Sequence, residues 1–409
     1  MRLSKLDPKI YNLIKKEEKR QAETLNLIAS ENYPSRAARE ALSSIFVAKY
    51  AEGRPYKRYY GGMENVDKLE TLVEERVKKA FKLNPKKWAV NVQPYSGSPA
   101  NYAVLRGLLK PSDKIMAIPL SHGGHLTHGA SVSLSGQDFK VVNYFLDENR
   151  LLDYKQIERI AKKEKPKLII TGYSAYPRKI DFKKFSQIAR KVGAYLLADI
   201  AHIAGLIIGG VHPSPFPFAD AVTTTTHKTL RGPRGAIIIC KKELEKKIFK
   251  KVFPGLQGGP HEHTICAIGV ALEEAMSPEF KKYTQQIVKN AKVLAQELKK
   301  YNFNLISGGT DNHLILINLT NKNISGGKAQ DLLEKTGIVV NKESIPYDRR
   351  SPYDPSGIRL GTPALTTRGM KEKEMKKIAF WINEVITNPK SISKIKKEVK
   401  KLCQKFPIQ

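Results

Sequence analysis

The sequence predicts an α/β protein in which a large domain with a mostly parallel, mixed sheet precedes a smaller α+β C-terminal domain. Three observations carry this. From Trp88 to Ile239, short apolar runs alternate with amphipathic helical stretches, the order that builds a parallel sheet covered on both faces. After about Ala275 the order changes to long helices, then strand-like runs, then closing helices. The chain has 409 residues, 41% of them hydrophobic and 27% charged. That suits a large and a small core and does not suit disorder.

The elements follow in order. Asp7-Pro8 opens a first helix running to about Glu23, with Asp as cap and Pro at the first helical position. A loop with Ser30, Glu31 and Asn32 precedes a helical stretch from Ser35 to Val47. Tyr50–Gly62 is polar and glycine-containing, and Asn65–Phe81 reads as an amphipathic helix. Buried strands are expected at Ala89–Val92, Lys114–Ile118, Lys167–Thr171, Ala194–Ala198, Ala221–Thr223 and Ala236–Ile239. Helices near Ala100–Leu109, Tyr154–Lys163 and Phe182–Lys191 separate them. Beyond Ala275 come a helix at Pro278–Tyr301, strands at Leu314–Leu319 and Ile338–Asn341, and helices from Lys371 onward. The expected division is 1–60, a helical N-terminal segment; 61–275, the large domain; and 276–409, the small one.

Composition excludes several classes. Cys240, Cys266 and Cys403 form no CxxC pair and fit no zinc spacing. A reducing, cytoplasmic setting is the expectation. The first twenty residues lack the apolar stretch of a signal peptide, and no run is long enough to span a bilayer. The net charge of +32 favours contact with polyanions. Its lysines, however, lie in helix-like stretches mixed with glutamate, which read as solvated faces. RNA contact stays open as a secondary property.

Five stretches carry candidate chemistry. In NVQPYSGSPAN (Asn91–Asn101) a strand gives way to the turn Ser96-Gly97-Ser98 and then a helix, with Ser98 placed to cap it. Free N–H groups at such a start form an anion site; an ordinary capped turn is the alternative. In YLLADIAH a buried strand ends in Asp199, three residues before His202. A carboxylate there wants a cation, and the protonated ring nitrogen of pyridoxal phosphate is one; a cap or turn residue is the alternative. In TTTTHKTLRGPRG (Thr223–Gly235) Lys228 follows a buried strand and stands beside His227. Desolvation and nearby positive charge favour its neutral form, making it a candidate Schiff-base former. SHGGHLTHG holds His122, His125 and His128 without cysteine partners or an HExxH pattern. No metal is expected there, and an imidazole stacked on a flat ring is. Arg359 in GIRLGTP suits a carboxylate clamp, and Glu52 in YAEGRPYKRYYGG suits proton transfer.

Together with LIASENY (Leu27–Tyr33), FPGLQGGP (Phe253–Pro260) and SGGTDNHL (Ser307–Leu314), these motifs resemble the serine hydroxymethyltransferase family, from about residue 5 to 405. The resemblance implies the aspartate-aminotransferase-like fold (fold type I). It implies reversible transfer of the hydroxymethyl carbon of L-serine to tetrahydrofolate, giving glycine. Lys228 would carry pyridoxal phosphate, Asp199 would pair with its ring nitrogen, and His125 would stack on it. His202 and Ser174 would lie at its phenolic oxygen. Ser96, Gly97, Ser98 and Thr225 would line the cofactor site, with Gly258 and Gly259 contributed by a neighbouring subunit. Ser30 and Arg359 would bind the amino-acid carboxylate. Glu52 and Tyr60, with Tyr50 nearby, would reach in from the partner of a homodimer or homotetramer. Tyr59, Leu120, Gly124, His125, Leu126, Asn341, Ser351 and Tyr353 would face the pterin. His227 and Arg234 would support the lysine. An aldolase acting on threonine without a pterin, and a basic RNA-binding protein on an inactive enzyme fold, are the competing readings.

Overall fold

In the computed structural model, which describes residues 1–408, a seven-stranded sheet holds the large domain. Its strands are β1 (Trp88–Asn91), β2 (Lys114–Ala117), β3 (Lys140–Asn143), β4 (Leu168–Thr171), β5 (Tyr195–Asp199), β6 (Ala221–Thr225) and β7 (Ala236–Lys241). Their order is β1-β7-β6-β5-β4-β2-β3. β7 runs antiparallel to both neighbours, and the other pairings are parallel. The sheet is therefore mixed and mostly parallel, as expected.

Its strands read as continuous apolar runs because both faces are covered. Ile169 joins one core with Met116, Leu196 and Val222, while Leu168 and Ile170 join another with Ile115, Leu197 and Ala221. Successive side chains point to opposite faces, so the inner strands are apolar along most of their length and turn polar toward their ends, as in Thr171, Asp199 and Thr223–Thr225. β3 was not expected from the sequence. It lies at the sheet edge and is only partly covered, so its short sequence lacks the fully apolar signature of its neighbours.

The small domain has a four-stranded antiparallel sheet of β8 (Asn304–Leu305), β9 (Leu314–Asn318), β10 (Asn341–Glu343) and β11 (Gly357–Gly361) in the order β8-β9-β11-β10. The single strand expected over 338–341 is two pieces. Ile338–Val339 pairs with Leu25–Asn26, and Asn341 starts β10. β11, which carries Arg359, is not among the expected strands; its two glycines and central arginine hide a fully buried strand.

The first sixty residues do not share one environment. Leu25 and Leu27 sit in the small-domain core with Leu298, Ile317 and Trp381, whereas Arg58 is tied to the helix Glu64–Ala80. No helix among the described residues is long and apolar enough to cross a membrane.

Candidate active site

The carboxyl ends of the parallel strands converge on one cavity of about 290 Å³, where ligands bind in open α/β sheets. Ser96, Gly97, Ser98, His125, Ser174, Asp199, His202, Thr225, His227, Lys228 and Arg234 line it from the large domain, with Ser30 and Arg359 from the other core. Thirteen residues singled out across some 330 positions of sequence thus meet in one place.

Lys228 is buried at the end of the run that follows β6. The backbone around it is held from several sides. Asn32 Nδ2 donates to the Lys228 carbonyl at 2.9 Å, and Thr229 Oγ1 donates to the His202 carbonyl at 2.9 Å. Burial, with the Arg359 and Arg234 cations nearby, brings the amine down to about 8 despite the opposing pull of Asp199. His227 beside it is pushed down to about 3 by burial and by Lys228 and Arg234, so it is neutral at physiological pH. Its Nδ1 is buried without a partner, a donor or acceptor left over inside the cavity wall.

Asp199 ends β5. Burial alone would favour its neutral form, but His128, His125 and Asn101 outweigh it and hold the carboxyl below the ordinary range. His128 Nε2–H donates to Oδ2 at 3.0 Å, Asn101 Nδ2 to the same oxygen at 2.8 Å, and the Ala201 amide to Oδ1 at 3.0 Å. Thr223 Oγ1 in turn donates to Asn101 Oδ1 at 2.5 Å. The backbone is packed just as closely: a Cβ on Gly172, at φ +127°, would stand 2.0 Å from the Asp199 carbonyl oxygen. Sequence reasoning passed over Asn101 and gave His128 no role at Asp199. Asn101 lies one helical turn beyond Ser98, a spacing that points it back over the strand ends. His128 was weighed only as a metal ligand or ring-stacking group.

His125, His128 and Asp199 do present ligand-type atoms within 4.8 Å of one another. The direct hydrogen bond from His128 to Asp199 accounts for two of the three. His125 Nδ1 lies 2.8 Å from Thr127 Oγ1, and burial lowers it to about 4. A neutral, half-buried imidazole in this position offers a flat face to the cavity.

The helix Gly97–Leu108 is capped by Ser96, not Ser98, and no side chain satisfies its first amides. Ser98 lies inside the first turn because the helix begins two residues earlier than Pro99 suggested. Two serine hydroxyls and the open amides thus face the same cavity, a ready anion site. A Cβ on Gly97 would lie 2.8 Å from Thr225 Cγ2, so the turn closes against β6 only without a side chain.

Arg359 enters from β11. Nε donates to Asn341 Oδ1 at 3.1 Å, and Nη1 to the Ser174 carbonyl at 2.7 Å. His202 turns its Nδ1 to His313 Nε2, 3.2 Å away, and the two rings stack. Burial holds both imidazoles below their ordinary range. His313 was not anticipated; it stands directly before β9 in SGGTDNHL.

Other expected residues gather elsewhere. Tyr60 Oη donates to Glu52 Oε2 at 3.4 Å, and the Tyr50 and Tyr60 rings meet edge to face. Glu52 Oε1 would lie 3.1 Å from a Cβ on Gly258, and the Tyr50 ring 3.4 Å from one on Gly259. This second cluster is absent from the lining of the Lys228 cavity. Arg58 anchors it by donating to the Ala51 and Gly53 carbonyls while pairing with Asp67 and Glu70, each at 2.8 Å. Tyr50, Tyr59 and Tyr60 are nevertheless exposed. Leu120 and Leu126 are likewise exposed, and Gly124 tucks against the Ile118 carbonyl. Ser351 and Tyr353 lie on an outer loop, Tyr353 being 87% exposed.

Two comparisons with known proteins agree. The family model described as serine hydroxymethyltransferase matches residues 3–382. A protein named serine hydroxymethyltransferase from Desulfotalea psychrophila (strain LSv54 / DSM 12343) is 54% identical over 408 residues, which is 99% of this chain and 95% of the relative.

Proposed function

The chain belongs to the serine hydroxymethyltransferase family, and from that premise we propose that the Lys228 cavity moves the hydroxymethyl carbon of L-serine to tetrahydrofolate. The enzyme is a pyridoxal-phosphate-dependent glycine hydroxymethyltransferase with tetrahydrofolate as co-substrate. The observation that carries the site assignment is the pairing of a buried, depressed amine with a carboxylate kept ionised across the same cavity.

The residues present fit the cofactor. The Lys228 Nζ would hold its aldehyde carbon, and the serine hydroxyls and open amides at residues 96–98 would take its phosphate. Asp199 would keep a proton on the ring nitrogen, and His125 would cover one ring face. Ser174 and His202 would lie at its phenolic oxygen. When bound, pyridoxal phosphate supplies an electron sink for breaking a bond beside the substrate nitrogen. Arg359 and Ser30 would grip the substrate carboxylate and so set which bond stands perpendicular to the ring. Glu52 and Tyr60 would move the proton at the hydroxymethyl oxygen. The folate would meet Tyr59, Leu120, Gly124, Leu126 and Asn341, with Ser351 and Tyr353 on the outer loop.

A homodimer would account for this division. The Glu52–Tyr60–Gly258 cluster is built and anchored, yet lies outside the Lys228 cavity of its own chain and exposes three tyrosines. A second copy would receive it. Three cysteines with no disulfide between them support a reducing, cytoplasmic setting.

The test is the visible absorption of the cofactor-loaded protein with glycine, with tetrahydrofolate, and with both. A band lost in Lys228→Ala, and a red-shifted band requiring both ligands, are expected. A cofactor band with no response to the pterin, together with threonine cleavage independent of it, would replace the assignment by an aldolase.

A further inference from the structure

We propose that Glu343 competes with the substrate carboxylate for Arg359 and thereby weakens amino-acid binding. This rests on the reading of Arg359 as the carboxylate clamp. Asn341 and Arg359 are directly paired across β10 and β11, and Glu343 lies two residues further along β10. Positions two apart on a strand share a face, so Asn341 and Glu343 both stand beside the guanidinium. Glu343 Oε2 is 3.4 Å from Arg359 Nη1, and Asn341 Nδ2 donates to the same carboxylate oxygen at 3.1 Å. The two side chains are 10% and 19% exposed, so the pair is poorly screened by water.

The guanidinium has five donors. Asn341 takes Nε; the Ser174 carbonyl and Glu343 share Nη1. Nη2 has no hydrogen-bond partner among the described residues. It is the edge left for an incoming carboxylate. A substrate that binds there brings a second negative charge to a cation already partly neutralised. The neighbouring charges do not cancel this: Lys228 and Arg234 line the cavity together with Asp199, which is occupied by its own three donors. Glu343 is thus a positioning residue acting through Arg359. It lets the free enzyme hold a buried guanidinium neutralised, and it eases departure of the product amino acid.

The experiment is calorimetric titration of the cofactor-loaded enzyme with glycine and with glycinamide, which lacks the carboxylate. Glu343→Gln should tighten glycine by about tenfold or more, since a like charge weighs more in a poorly hydrated site than in bulk water, and leave glycinamide unchanged. Glu343→Asp keeps the charge and should stay near the parent value. Equal or weaker glycine binding in Glu343→Gln would overturn the inference, as would equal tightening of both ligands or tightening in Glu343→Asp. A damaged fold weakens binding, so the expected gain has no trivial structural origin. Arg359→Lys separates the premise: if it leaves glycine affinity unchanged, Arg359 is not the clamp; if it weakens glycine while Glu343→Gln changes nothing, only the competition fails.

Discussion

On the proposed role of Lys228, the pH at which it becomes able to capture the cofactor follows from its surroundings. An ordinary lysine amine is almost wholly protonated at pH 7. Burial and the Arg359 and Arg234 cations bring this one to about 8. The sign is that of a cation moved into a site that disfavours charge, so the neutral form appears at lower pH. At pH 7 the displacement leaves roughly 300 times more of the amine unprotonated than at an unperturbed lysine. The cofactor-free protein should therefore take up pyridoxal phosphate at a rate that rises steeply with pH up to about 8 and then levels. Stopped-flow absorption across pH 6.5–10.5 measures this, with Lys228→Ala as the inert control. Two variants fix the cause. Arg359→Leu removes a cation and should move the inflection upward, while Asp199→Asn removes the anion that opposes the shift and should move it downward. An inflection near the ordinary lysine value, or one that both variants move the same way, would refute the electrostatic account.

Other outcomes follow from the same geometry. His128→Leu removes one of two donors to Asp199 Oδ2, and should weaken cofactor retention roughly ten- to hundredfold, the cost of a hydrogen bond to a charged group, as read by equilibrium dialysis. Arg58→Leu leaves the buried Asp67 and Glu70 carboxylates unpaired, and should cost roughly 3–5 kcal/mol in urea unfolding; a loss below 1 kcal/mol would mean that the acids simply neutralise. Lys228→Ala and Glu52→Gln chains should each be inactive alone. Refolded together in equal amounts, they should recover about a quarter of the parental activity, since mixed dimers carry one wholly native site; no recovery would place Glu52 in its own chain's site.

Much of the candidate cofactor cavity was legible because strand ends in α/β sheets are fixed by the strands themselves. Once β5 and β6 are recognised as buried runs, Asp199 and Lys228 must lie on the same edge, whatever the loops do. The residues passed over are those whose role depends on register between elements distant in sequence. Asn101 reaches Asp199 only because the helix starting at Gly97 lies over β5 and β6, and His313 meets His202 only across the seam between two cores. Neither relation leaves a local pattern. The sequence likewise marked Arg359 by its side-chain type while concealing its strand, since GIRLG offers no alternation and no run of β-branched residues. β3 went unseen for the opposite reason: an edge strand needs little apolar character.

That seam explains why the clamp is more than a matter of one arginine. Arg359 belongs to the small-domain sheet, yet Nη1 is fixed by the carbonyl of Ser174 on the large domain. Arg178, four residues beyond Ser174, crosses the same seam in the other direction, with Nη1 3.0 Å from Asp311 Oδ1 and Nε 3.1 Å from Ser307 Oγ. The Asp311 amide returns to the Pro177 carbonyl at 2.8 Å. A site that grips a substrate at two points tolerates little displacement, and each domain alone supplies only one of them: the amine and its carboxylate partner from one core, the guanidinium and Glu343 from the other. On the proposed roles of Arg359 and Lys228, the two cores must be held in register for a substrate carboxylate to reach Nη2 with its amino group near Lys228. Residues 174–178 and 307–313 provide that register through neutral and charged hydrogen bonds at the seam, and the clamp's geometry is a property of the domain interface rather than of β11.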